Sequence, residues 1–163
     1  MLLRLLEEWL GDESPTVGSL AAEPVATYGG SDVNYQVLFS DKLALSRRVS
    51  EGMPPSIWTG ILAECVLTDE EWASILDIST KSLQRYRQDD KLLGPRITSN
   101  IIQMTEINIL GIELFGSKAK FKKWLHAPAF ALGGALPVDL LRDAYGRELV
   151  IDLLVRLEHG IFV

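Results

Sequence analysis

The chain has 163 residues, 47% apolar and 23% charged, with 13 Gly and 7 Pro. This is the composition of an ordinary folded protein and excludes wholesale disorder and a collagen-like fibre. A single cysteine, Cys65, excludes an intrachain disulfide and a thiolate-only zinc site and points to a reducing, cytoplasmic setting. The formal charge of −6 is concentrated in the first 36 residues, where Arg4 stands against six acids, so the remaining body is nearly neutral, with basic stretches at 81–96 and 118–123.

Leu2 to Leu10 is apolar at helical spacing (Leu2, Leu3, Leu6, Trp9, Leu10) until Gly11 ends the pattern, which predicts a docking helix. Arg4, Glu7 and Glu8 interrupt it, so it is neither a signal peptide nor a membrane span of ~20 apolar residues. Asp12 to Asn34 carries Pro15, Gly18, Pro24, Gly29 and Gly30 with no sustained period and reads as a linker; an acidic arm thus covers residues 1–36. Tyr35 to Phe39 is one of two short strand-like runs, the other being Ile161 to Val163. Val37 to Val49 also keeps Leu38, Leu43, Leu45 and Val49 at apolar positions before Ser50-Glu51-Gly52 stops a helix. Pro54 and Pro55 start the next, with Ile57, Ile61, Leu62 and Cys65 on one face. Thr68 with Glu71 three residues on is a capping-box pattern, so a helix begins at Asp69.

Farther along, Arg96 to Phe115 repeats apolar residues every three or four positions and ends at Gly116, and Lys118 to Leu125 turns Phe121, Trp124 and Leu125 inward. Pro128 to Pro137, with Gly133-Gly134, is not helical throughout. Helices are expected again at Pro137 to Ala144 and Arg147 to Glu158, the second burying Leu149, Val150, Leu153, Leu154 and Leu157. The fold class that follows is all-α.

The stretch Thr68 to Arg87 has the organisation of a helix-turn-helix: a capped helix, a tight Asp77-Ile78-Ser79 connection, and a second helix from Thr80. Trp72, Ile75, Leu76, Ile78 and Leu83 supply the packing face. Thr80, Lys81, Ser82, Gln84, Arg85 and Arg87 are left outward, with the equipment for base edges and phosphates. Covering the solvated face of a short helix would account for the same residues, and 68–96 holds five bases against six acids. DNA binding here therefore depends on geometry and on a dimer to supplement charge.

Enzymatic chemistry finds little support. His126 and His159 lack metal-ligand spacing, Cys65 lies on an apolar helix face, and Gly29-Gly30 and Gly133-Gly134 lack the setting of a phosphate loop. No cofactor or metal is expected. His159 caps the last helix, and Gly160 supplies a left-handed stop. Ile161-Phe162-Val163 then forms an apolar end that either folds back on its own core or enters a partner's pocket, where an aromatic such as Phe162 dominates an interface. The lysines at 118–123 read as a solvated face, and nothing supports membrane attachment.

Ile78-Ser79-Thr80-Lys81-Ser82-Leu83-Gln84-Arg85 resembles the second helix of the Xre-type helix-turn-helix in Xre/MbcA/ParS antitoxins. The resemblance continues through Phe115-Gly116, Phe121 to Leu125, the run Pro128 to Leu141 with its Leu132-Gly133-Gly134 and Pro137, then Gly146 and Glu158-His159-Gly160. It covers about residues 38 to 163. It implies an Xre-like helix-turn-helix domain at 37–96 and a small helical toxin-binding domain at 97–163. It further implies a type II antitoxin that neutralises a RES-domain, NAD-degrading toxin by covering its active site and represses its own operon through DNA binding. The implied toxin contacts are Glu158, His159, Gly160, Ile161, Phe162 and Val163, with Gly133, Gly134 and Arg142. The partners are the toxin, operator DNA and a second copy of the chain. A different reading, a stand-alone helix-turn-helix regulator whose C-terminal half serves dimerisation, is separated from this one by the identity of the adjoining reading frame.

Overall fold

A computed structural model of the chain describes residues 1–11, 35–89 and 91–160. The expected linker over 12–34 and the terminal run Ile161–Val163 lie outside the described residues. The helices are α1 (Leu2–Leu10), α2 (Tyr35–Ser40), α3 (Lys42–Glu51), α4 (Pro55–Glu64), α5 (Asp69–Leu76), α6 (Thr80–Gln88), α7 (Pro95–Phe115), α8 (Lys118–Leu125), α9 (Pro137–Leu140) and α10 (Ala144–Glu158). No strand occurs among the described residues, so the chain is all-α, as its periodicity indicates.

Local chemistry sets most of the boundaries. Thr68 and Glu71 form the reciprocal capping box: the Glu71 N–H donates to Thr68 Oγ1 at 3.2 Å and the Thr68 N–H donates to Glu71 Oε2 at 2.7 Å. Asp41, Ser79, Ser117 and Asp143 cap α3, α6, α8 and α10 in the same sense, each accepting a first-turn N–H. Proline at the first helical position starts α4, α7 and α9, where its missing N–H has no partner to lose.

Three expectations are corrected. Tyr35–Phe39 belongs to a helix, and the Asp41 cap divides 35–51 into α2 and α3. The helix expected from Pro137 to Ala144 stops at Leu140, because Asp143 restarts the chain as α10 three residues earlier than Arg147. Leu43 and Leu149, assigned by period to apolar faces, are more than half exposed.

The core gathers on α7, which touches α1, α2, α3, α4, α5, α8 and α10. Ile101, Met104 and Ile107 of α7 are wholly buried among Trp58, Trp72, Phe121 and Leu154 in one apolar cluster that crosses residue 96 without a break. The Trp58 and Trp72 indole N–H groups are buried in it without a hydrogen-bond partner among the described residues, whereas the buried Asn108 amide is paired on both sides. Asn108 Oδ1 accepts the Val66 N–H at 3.0 Å while its Nδ2 donates to the Met104 carbonyl at 2.9 Å, which ties the α4–α5 junction to α7. An isolated antiparallel bridge, Met53 with Leu93, joins the α3–α4 turn to the start of α7.

The docking partner of α1 is the chain's own body. Leu2, Leu6, Trp9 and Leu10 are buried against α3, α4 and α7. The Trp9 indole N–H donates to the Gly52 carbonyl at 3.2 Å, and Arg48 lies over the Trp9 ring while donating to the Trp9 carbonyl.

Candidate functional site

Two regions carry the polar and exposed groups singled out by sequence. The first is α5–turn–α6. Asp77, the one non-glycine residue with positive φ among those described (55°), makes the tight reversal, and the Asp77 and Ile78 N–H groups return to the Ser74 and Ala73 carbonyls. Trp72, Ile75, Leu76 and Leu83 are buried and Ile78 is half-buried, so the packing face is where the sequence puts it. Thr80, Lys81, Gln84 and Arg85 are exposed on α6.

Ser82 and Arg87 are already engaged. The Ser82 hydroxyl pairs with Ser79 Oγ at 2.9 Å within the cap. Arg87 makes a two-pronged pair with Asp69, both N–O distances 2.7 Å, which clamps the end of α6 to the start of α5 and holds the Asp69 carboxyl below its ordinary range. Arg96 is 3.7 Å from Asp77.

The second region is α8 to α10. Arg147, almost fully buried at the start of α10, donates to three acceptors: Gln103 Oε1 at 2.6 Å, the Leu141 carbonyl at 2.9 Å and Asn100 Oδ1 at 3.1 Å. Burial lowers its pKa, and Asp143 opposes the shift. Gly146 allows α10 to meet α9, since a Cβ there would collide with the Leu140 carbonyl. Arg142 is exposed and 3.4 Å from Asp139; both line a cleft of about 250 Å³ between α5 and α9. His159 ends α10 and Gly160 follows with φ 70°, the left-handed stop expected from sequence. Glu158 and His159 line a second cleft with Phe39, Leu110, Ile151 and Val155.

Two features of this region escape a reading of the sequence. His126, at the end of α8, donates from one ring nitrogen to the Lys122 carbonyl at 2.8 Å and places the other 2.5 Å from Glu71 Oε1. Its pKa is raised by the Lys122 carbonyl and then by Glu71. Burial pushes Glu71 upward, but its bond from the Thr68 N–H and its pairing with His126 outweigh that and hold it below the ordinary range. The second feature is Phe130, 92% exposed on a short 3-10 turn (Phe130–Leu132) between α8 and α9. Its signal was present in the run Ala127 to Leu136, which has no polar side chain.

Other elements are inert. Cys65 is buried, and its thiol is pushed far up by desolvation, so it stays protonated. Lys118 pairs with Glu64 at 2.9 Å, while Lys120, Lys122 and Lys123 are exposed. Among the described residues no helix is long and apolar enough to cross a membrane.

Comparison with known proteins bears on the second region directly. The family model described as the antitoxin Xre/MbcA/ParS C-terminal toxin-binding domain matches residues 110–160, from the last turns of α7 to the end of α10. The chain is also 32% identical, over 116 residues, to the antitoxin Xre of Yersinia enterocolitica serotype O:8 / biotype 1B, a match that spans 66% of this chain and 78% of that protein. Identity at this level over most of the relative, together with the domain match, places the chain in the Xre/MbcA/ParS family as the antitoxin of a toxin–antitoxin system.

Proposed function

We propose that the chain acts in the cytoplasm as a type II antitoxin that captures and neutralises a RES-domain, NAD-degrading toxin and represses its own operon. The observation that carries this reading is a division of labour along the chain. Residues 110–160 correspond to a toxin-binding domain, while α5 and α6 lie outside that span and leave Thr80, Lys81, Gln84 and Arg85 outward on a helix held by its partner. Lys81 and Arg85 engage phosphate and guanine edges, and Thr80 and Gln84 contribute shorter-range contacts. Ser82 and Arg87 shape the two-helix unit. A homodimer doubles this modest basic surface and brings two half-sites within reach of one operator.

On the toxin side, the segment Glu158 to Val163 leaves the end of α10 at Gly160 and covers the NAD pocket, with Phe162 as its apolar plug; Gly133, Gly134 and Arg142 flank it. Co-expression tests the reading. The full chain should restore growth to cells making the toxin from the adjoining reading frame and should stop NAD loss in a lysate. A chain lacking Gly160–Val163 should fold normally and fail at both. Full rescue by the truncated chain removes the tail from the mechanism.

A further inference from the structure

The turn between α8 and α9 differs from an ordinary surface loop. Its ten residues, Ala127–Leu136, contain no charged or hydrogen-bonding side chain, whereas loops facing water are normally polar. The backbone polar groups are closed on themselves: the Ala129 N–H donates to the Ala135 carbonyl, Gly134 to Ala129, Gly133 to Phe130 and Leu132 to Ala129, all within 3.0 Å. Gly133 and Gly134 make the closure possible with φ of 67° and 84°, values that other residues adopt only with strain. Nothing lies within 4 Å of a Cβ at either position, so these glycines serve the path of the chain. Leu132 packs against the core and pins one side of the turn; Phe130 points into solvent.

We infer that residues 127–136 form a preformed apolar knob whose Phe130 ring enters an apolar pocket on the toxin. The inference rests on the antitoxin reading above, because the knob lies within the span 110–160 that corresponds to a toxin-binding domain. Of the six large apolar side chains exposed among the described residues, Phe130 is the most exposed. The turn is ordered by its own hydrogen bonds, so docking requires little further loss of backbone freedom, and an aromatic ring on such a support is the kind of group that dominates an interface. A second copy of this chain is a weaker occupant. One ring on a narrow turn buries far less than the roughly 1,200 Å² that a specific interface needs by itself, whereas the knob sits within a wider span, 110–160, that matches a toxin-binding domain.

The test is the affinity of the protein encoded by the adjoining reading frame for the full-length chain and its Phe130→Ala and Phe130→Leu variants, measured by calorimetry. Phe130→Ala should bind about 30-fold more weakly or worse, with Phe130→Leu between it and the unaltered chain. Melting temperatures should be unchanged, since the ring has almost no contact within the fold. Equal affinity for Phe130→Ala overturns the knob while leaving the antitoxin reading intact. Loss of self-association in Phe130→Ala with unchanged toxin affinity also overturns it and assigns the ring to a homodimer. An unaltered chain that fails to bind removes the antitoxin reading itself, and the knob with it.

Discussion

Glu71 and His126 are 55 residues apart in sequence and meet at 2.5 Å, with Glu71 holding the first turn of α5 through one oxygen and the end of α8 through the other. One carboxylate thus joins the start of α5 to the end of α8, inside the span 110–160 that matches a toxin-binding domain.

This pair has a pH signature. The His126 pKa is raised, so its contribution is fully present below the ordinary imidazole value of 6.5 and is lost as pH rises through the raised value. The Glu71 pKa is lowered, so its contribution is present above the ordinary 4.5 and is lost as pH falls through the depressed value. The pair therefore contributes most between those two ordinary values. The ring is part-exposed and screened, which holds the gain to about 0.5 kcal/mol. Denaturant unfolding should show His126→Ala less stable than the unaltered chain at pH 6 and by a smaller margin at pH 9, where the neutral ring keeps only its bond to the Lys122 carbonyl; a difference constant across that range excludes the linkage.

Arg147 should be among the most sensitive polar positions. Replacing it with Ala strands three partners, Gln103, Asn100 and the Leu141 carbonyl, at a cost of about 2 kcal/mol or more. Arg147→Lys should recover only part of this, because one ammonium cannot match a planar fork addressing three acceptors. Equilibrium unfolding by urea gives both values.

For operator binding, Lys81→Ala and Arg85→Ala should each weaken the complex and reduce the salt slope by about one. Arg87→Ala should differ in kind. It releases Asp69 and lowers stability by about 0.5 kcal/mol, with a smaller change in salt slope. Fluorescence anisotropy across a salt series separates the two behaviours.

Trp9→Ala should destabilise the whole protein by about 3–5 kcal/mol, because the indole is buried in the shared core and bonded to Gly52. A thermal melt with an unchanged midpoint would mean that α1 is dispensable.

Much of this architecture is legible in sequence because its causes are local. The capping box of Thr68 and Glu71, the proline starts and the α7 period each depend on neighbours within a turn. The α1 stripe is legible as an amphipathic helix, but nothing in it says that Arg48 and Gly52 receive it. His126 finds Glu71 only through tertiary packing. Tyr35–Phe39 shows the converse: β-prone residues join a helix that packs on α7. Leu149 keeps the helical period and still faces outward, while Val150, Leu153 and Leu154 form the buried side of α10, the helix that packs on α7. Gly133 and Gly134 read in sequence as turn glycines, and their positive φ values bear this out by closing the turn that carries Phe130.

The continuous apolar surface around α7 also governs how the protein disappears. With no seam between its halves, calorimetry should record one endotherm, and an unfolding machine that pulls either end must dismantle the whole body at once. Every activity the molecule has is then extinguished in a single event.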